Sequence, residues 1–520
     1  MKSRGANLNG LAMTALAATL LSISLNASSQ RHHSQPLKPA AAPSLGIFTQ
    51  DADIGTVLHP GSAHFDAAKN TYTLTGSGDN MWFGTDAFHF LFTRVSGDVS
   101  LSADIAFIGA KGNDHRKAVL MLRQTLGPGS VYVDVARHGN GLTSLQYRDT
   151  PNADTHEIES AVSAPQRVRI LKRGNYAYVF ISDNTGKLVP SGAAMRIALT
   201  GDFYIGLGVC SHDKDVSETA TFSNVELQQL QPSTGSPVLY STLETIAIAS
   251  TDRRVAHVSP TLFEAPNWTR DGKALLFNQS GLMYSFDLTT AKPTQITTTP
   301  QTHINNDHGL SPDGSQLAIS DQSSSDAASR IYILPTTGGT PHQITPTGPS
   351  YWHGWSPDGK TLAFTAQRNG DFDIYTIPVT GGPTGYQETR LTTAKGLDDG
   401  PEYAPDGGFI YFNSERNGHM QLWRMKPDGS DQQQILHELS NDWFPHISPD
   451  GKWLVYLAYD PSVTGHPADK DVELRLMSLP DGKVKLLAKL FGGQGTINVP
   501  SWSPDSTRLA FVSYELLPQN

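Results

Sequence analysis

The sequence predicts an all-β protein, a β-sandwich followed by a β-propeller, and three observations carry that prediction. The tetrapeptide Ser-Pro-Asp-Gly, or a close variant, returns six times in the second half of the chain. Residues 45–230 instead hold many short alternating segments parted by turn residues. No helical period of useful length intervenes there.

In chain order, residues 1–29 read as a secretory signal. Lys2 and Arg4 give a basic start, 11–25 an apolar run, and Ala27-Ser28-Ser29 a small-residue cleavage region. The alternative is a membrane anchor, but the run is short for a span and interrupted by Thr and Ser. The only cysteine is Cys210, so there is no disulfide framework and no cysteine at the cleavage site to carry a lipid. The expected location is the periplasm or the outside of the cell, with no membrane insertion once the signal is removed. Residues 30–44 form a Pro/Ala-rich linker. A length of 520 residues allows two or three domains, and a net charge of −10 without a basic run argues against nucleic acid.

Residues 45–230 are read as a sandwich of strands such as Val119-Leu120-Met121-Leu122, Val131-Tyr132-Val133 and 204–209. Turns such as Arg173-Gly174-Asn175 separate them. A break at 231–237, Gln-Pro-Ser-Thr-Gly-Ser-Pro, opens the second domain, 238–520.

The propeller follows from the repeat. Its aspartates are Asp271, Asp313, Asp358, Asp406, Asp450 and Asp505, spaced by 42, 45, 48, 44 and 55 residues. A period of about 40–45 residues is one four-stranded blade. Each copy places an apolar residue three before the Asp (Trp268, Leu310, Trp355, Tyr403, Ile447, Trp502), then a turn, Pro-Asp-Gly in four copies, Arg270-Asp271-Gly272 in the first and Pro504-Asp505-Ser506 in the sixth, and a second strand. Six copies predict six blades. The last copy holds only two strands, so 238–259 is expected to supply the missing ones and close the ring.

On these residues the repeat resembles the TolB-like family of six-bladed propellers, over roughly 238–520. Ser96-Gly97-Asp98-Val99, Leu120-Met121-Leu122-Arg123, Leu145-Gln146-Tyr147-Arg148 and Ala220-Thr221-Phe222-Ser223-Asn224-Val225 are similar to concanavalin-like jelly-roll modules, making the sandwich lectin-like. That resemblance implies glycan binding, with Trp82, Arg123, Tyr147 and Arg148 as candidates. The alternative is that the arginines satisfy structural carboxylates and the aromatics are core.

Aligning the copies on their Asp exposes positions that differ from blade to blade around the expected channel. They supply Glu264, Asn306, His308, Tyr351, His353, Asp399, Glu402, Trp443 and His446 as ligand-binding candidates. Such a set suits a sugar or a peptide end. No cofactor is predicted, although His308, His353 and His446 with Glu402 or Asp399 could hold a divalent metal. The alternative is a water-filled mouth whose histidines bond neighbouring loops. There is no Gly-x-Ser-x-Gly elbow, phosphate loop or Cys-x-x-Cys pair. The function expected is an exported, non-catalytic binding platform for carbohydrate or an envelope protein. The other reading is a carbohydrate-active enzyme: a glycosidase, or a polysaccharide lyase with His353 or His308 as base and Tyr351 as acid. No aligned rim position is Lys or Arg to neutralise a uronate.

Overall fold

The computed structural model describes residues 44–109, 111–232, 235–380, 385 and 387–518. The expected signal and nearly all of the linker lie outside the described residues. Every element among the described residues is a β-strand, and 44–520 forms one compact unit.

The N-terminal region is built from two antiparallel sheets across a shared core. One runs in the order Leu188–Arg196, Tyr176–Ser182, Arg167–Arg173, Val99–Phe107, Asp213–Gln229, Thr71–Gly78, Ser62–Asp66. The other begins Gln50–Ile54, Phe88–Ser96, Asp202–Cys210, Lys117–Arg123, Tyr132–His138, Thr143–Arg148, His156–Glu159. Leu74, Leu101, Ile170, Leu120, Val135 and Leu207, drawn from both sheets, meet in one apolar cluster. Strands of the first sheet alternate, as Thr71–Gly78 does at its start. Lys117–Arg123 is buried at every residue, because its second face is also covered. There Val119 and Met121 pack with Met81, Phe88 and Phe90 in a separate cluster. A strand covered on both faces loses the alternation that usually reveals it.

Among the described residues the C-terminal region contains five four-stranded antiparallel sheets in succession, whose innermost strands are Phe263–Trp268, Ile304–Leu310, Ser350–Trp355, Asp398–Tyr403 and Asn441–Ile447. This is a propeller of five blades, not the six expected. The sixth copy makes no sheet of its own. Its strand Arg508–Leu517 pairs with Val238–Ala247, which pairs with Arg253–Ser259. Arg253–Ser259 then pairs in parallel with His156–Glu159, so all three strands extend the second N-terminal sheet to ten. Only a single bridge, Trp502 to Leu509, remains of an inner strand. Repeat counting registers turns and spacing; it is blind to an edge that finds its partner in the N-terminal sheet.

The repeat itself is held by a small set of hydrogen bonds. In the third copy the Ser356 hydroxyl donates to Asp358 at 2.6 Å and accepts from the Thr361 N–H at 2.9 Å. Asp358 also accepts from the Lys360 N–H at 3.1 Å. The second, fifth and sixth copies repeat this pattern through Ser311, Ser448 and Ser503. The glycine after the Asp takes φ +69° in the third copy, the left-handed conformation that the turn requires.

Candidate functional site

Each inner strand carries a bulge just before its apolar anchor, where the register to the next strand shifts: Glu264/Asn267, Ile304/His308, Trp352/Gly354, Asp399/Glu402 and Trp443/His446. In three of them the residue six before the Asp has positive φ: Ala265, Gly400 and Phe444. A bulge re-aims the side chains around it. Residues at equal spacing from the turn therefore do not all face the same space, and the candidates separate into groups.

Asn306, Tyr351, His353 and Asp399 line one cavity of about 360 Å³. Asp307, Phe444, His466, Gln494 and Asn498 are also part of its wall. His353 Nε2 lies 3.2 Å from Asp399 Oδ1, and His466 Nε2 lies 3.9 Å from Asp399 Oδ2. Burial works against charge on His353, but the Asp399 carboxylate outweighs it and holds the imidazole above its usual range. Burial likewise opposes charge on Asp399, and the bond from His353 prevails, holding the carboxyl at about 2. The two thus form a preformed imidazolium–carboxylate pair. Among the described residues Asp307 has no ion-pair partner, and burial pushes it up to about 7 despite the charge of His353. Burial pushes the His466 imidazole down. Its ring packs against Trp443 and Phe444, with centroids at 4.4 Å and 5.2 Å.

The remaining propeller candidates lie elsewhere. Glu264 stands behind Asn306, whose amide donates to it at 3.3 Å. Fully buried His308 has its Nδ1 2.8 Å from Asn267 Oδ1. Trp443 is buried in an apolar cluster with Phe444 and Val455. Glu402 accepts from His446 Nδ1 at 2.5 Å and from the Ile447 N–H at 3.1 Å, tying two blades together. It lines a different cavity, beside Trp355, Trp502 and the prolines of the repeat turns. Among the described residues no group of three His, Cys, Asp or Glu is arranged to hold a metal, so the histidine–carboxylate set named from the sequence does not converge.

In the N-terminal region, Arg148 donates to both oxygens of Asp86, at 2.8 and 3.0 Å, while Arg123 lies 3.2 Å from it. All three side chains are buried. Tyr147 belongs to the shared core. Trp82 borders a cavity.

His466, Phe444 and Gln494 were not among the sequence candidates. His466 did leave a signal. The last repeat interval is 55 residues against 42–48 for the others, and the surplus includes the loop before Lys470–Ser478 that carries it.

A family profile described as "TolB beta propeller domain" matches residues 352–489. An uncharacterized protein of Agrobacterium fabrum is 49% identical over 275 residues, which is 53% of this chain and 92% of that protein. A solved Agrobacterium tumefaciens structure, provisionally named TolB, is 48% identical, covers 54% of this chain and 99% of its own, and superposes with a TM-score of 0.52. TolB of Acinetobacter baumannii is 16% identical, covering 62% of this chain and 79% of its own, with a TM-score of 0.39. With near-complete coverage of relatives at close to half identity, the chain belongs to the family of TolB-like β-propeller proteins.

Proposed function

We propose that this is an exported, non-catalytic binding protein of the cell envelope. Its propeller cavity receives a polar ligand, either a carbohydrate or an exposed segment of an envelope protein. The lectin-like N-terminal region acts as a second recognition module. The observation that carries this reading is the cavity around Tyr351, His353 and Asp399, where successive repeats contribute dissimilar side chains. Amides from Asn306, Gln494 and Asn498 and rings from Tyr351 and Phe444 surround a charge pair that is already formed. Such a wall offers fixed donors and acceptors beside apolar faces, the usual composition of a small-ligand site. His353 and Tyr351 would also serve a lyase, but among the described residues no Lys or Arg lines the cavity to meet a uronate carboxylate. The binding reading is therefore preferred.

The test is a glycan-array and envelope-peptide screen of the full chain, followed by Tyr351→Ala and Gln494→Ala. Both residues are only partly buried, so stability should change by less than about 1 kcal/mol. Loss of a polar contact to ligand should weaken binding by about 1–3 kcal/mol. Folded variants that bind the screened ligand normally would exclude the cavity, and turnover of a uronate polymer would replace binding by catalysis.

A further inference from the structure

A second cavity, of about 290 Å³, opens on the outer face of the N-terminal sheet, remote in sequence from the propeller. Lys117 and His138, paired across neighbouring strands, form its floor. Trp82, His115, Glu157 and His212 stand around them.

Two of its polar groups are incompletely partnered. The Lys117 side chain is almost wholly buried. Its ammonium donates to Asn80 Oδ1 at 3.1 Å and to the Met81 carbonyl at 3.4 Å, and lies 5.2 Å from the Trp82 ring centre. Among the described residues no carboxylate lies within ion-pairing distance of it. Asp134 shares its face, but both carboxylate oxygens lack hydrogen-bond partners, and burial drives that carboxyl well above its usual range. Buried His138 is held unprotonated by burial, aided by the charge of Lys117. Gln146 Nε2 lies 3.1 Å from His138 Nε2, and His138 Nδ1 has no partner. With the amide donating to Nε2, the single ring proton sits on Nδ1, leaving a buried N–H to donate. The cavity wall thus offers a lysine amine without an ion-pair partner, whose charge burial opposes and a bound carboxylate would favour, and an imidazole N–H without an acceptor, beside an indole and the Glu157 carboxyl. The first pair suits a carboxylate; the indole and Glu157 suit the ring and hydroxyls of a sugar.

We infer that this cavity binds a sugar acid, a carboxylate carried on a small hydroxylated ring, with the carboxylate toward Lys117 and His138.

Calorimetric titration of the full chain with glucuronate, glucose, acetate and inorganic phosphate tests this. Glucuronate should bind, with glucose, acetate and phosphate each at least tenfold weaker. Lys117→Met should weaken glucuronate binding at least tenfold. Because a buried lysine can matter to folding, Trp82→Ala, at a half-buried position, should independently weaken it severalfold with an unchanged melting temperature. Tyr351→Ala, in the propeller cavity, should leave it intact, which separates this site from the proposed one. Glucose binding as tightly as glucuronate would overturn the inference, as would binding of phosphate alone, no binding of glucuronate, or full binding by a folded Trp82→Ala variant.

Discussion

At the scale of single residues, two kinds of polar side chain look alike in the sequence and behave differently. The Ser of Ser-Pro-Asp-Gly is a local device, legible without the fold because its partners are the residues two and five further on. Ser356→Ala removes a hydroxyl that both donates and accepts, and should cost about 1–2 kcal/mol in urea unfolding. The fourth copy already has Ala404 at this place and retains only the bond from the Gly408 N–H to Asp406, at 2.8 Å. Glu402 is the opposite case. From spacing it was expected to be exposed in a channel, yet it is a buried tie to the next blade through His446 and Ile447. Glu402→Ala leaves His446 without its carboxylate, and should destabilise by about 3 kcal/mol, measured by denaturant midpoint. A change below about 1 kcal/mol would return Glu402 to the list of exposed groups.

At the scale of elements, the turns, the spacing and the second strands of the blades were readable, because each follows from local chemistry repeated six times. The bulges were not. A bulge is a mismatch between two strands, so no property of one strand alone announces it. Phe444 at φ +56° shows this, since nothing about Phe predicts a left-handed backbone. In the preceding blade the bulge at Gly400 sends Asp399 and Glu402, three residues apart, to different cavities. In the N-terminal sheet the pattern Lys-Ala-Val-Leu-Met-Leu-Arg gave a strand but not its two covered faces, and so hid the cavity over Lys117.

At the scale of the whole molecule, the junction holds a buried charge pair, with Arg253 donating to Glu244 at 2.6 and 2.8 Å and Ser513 also donating to Glu244. Nearby Glu515 is buried with both carboxylate oxygens unpartnered, and burial raises it to about 8, with Glu244 adding to the effect. Its folded form holds the proton more tightly than the unfolded chain does. Its contribution to stability is therefore retained below the ordinary carboxylate range and lost as pH rises toward 8. Glu515→Gln should raise the melting temperature at pH 8 more than at pH 5. An equal shift at both pH values would mean that Glu515 does not titrate in this window.

The sharing of one sheet between the first and last parts of the chain also sets an order of assembly. Arg508–Leu517 must find Val238–Ala247 across some 270 residues, as with Ser513 and Glu244, which are 269 apart. The five blades need only neighbours within about 50 residues. Distant pairings carry the larger loop-closure cost and form late. The N-terminal sheet can meanwhile hold Arg253–Ser259, and with it Val238–Ala247, as a template awaiting its final strand. Pulsed hydrogen exchange during refolding should show the amides of 238–247 and 508–517 gaining protection together, after those of the blades. The clasp would then act as a checkpoint on completeness: a chain cut short before residue 508 would keep its blades and present an open strand edge, the feature by which quality-control proteases and chaperones recognise unfinished β-proteins.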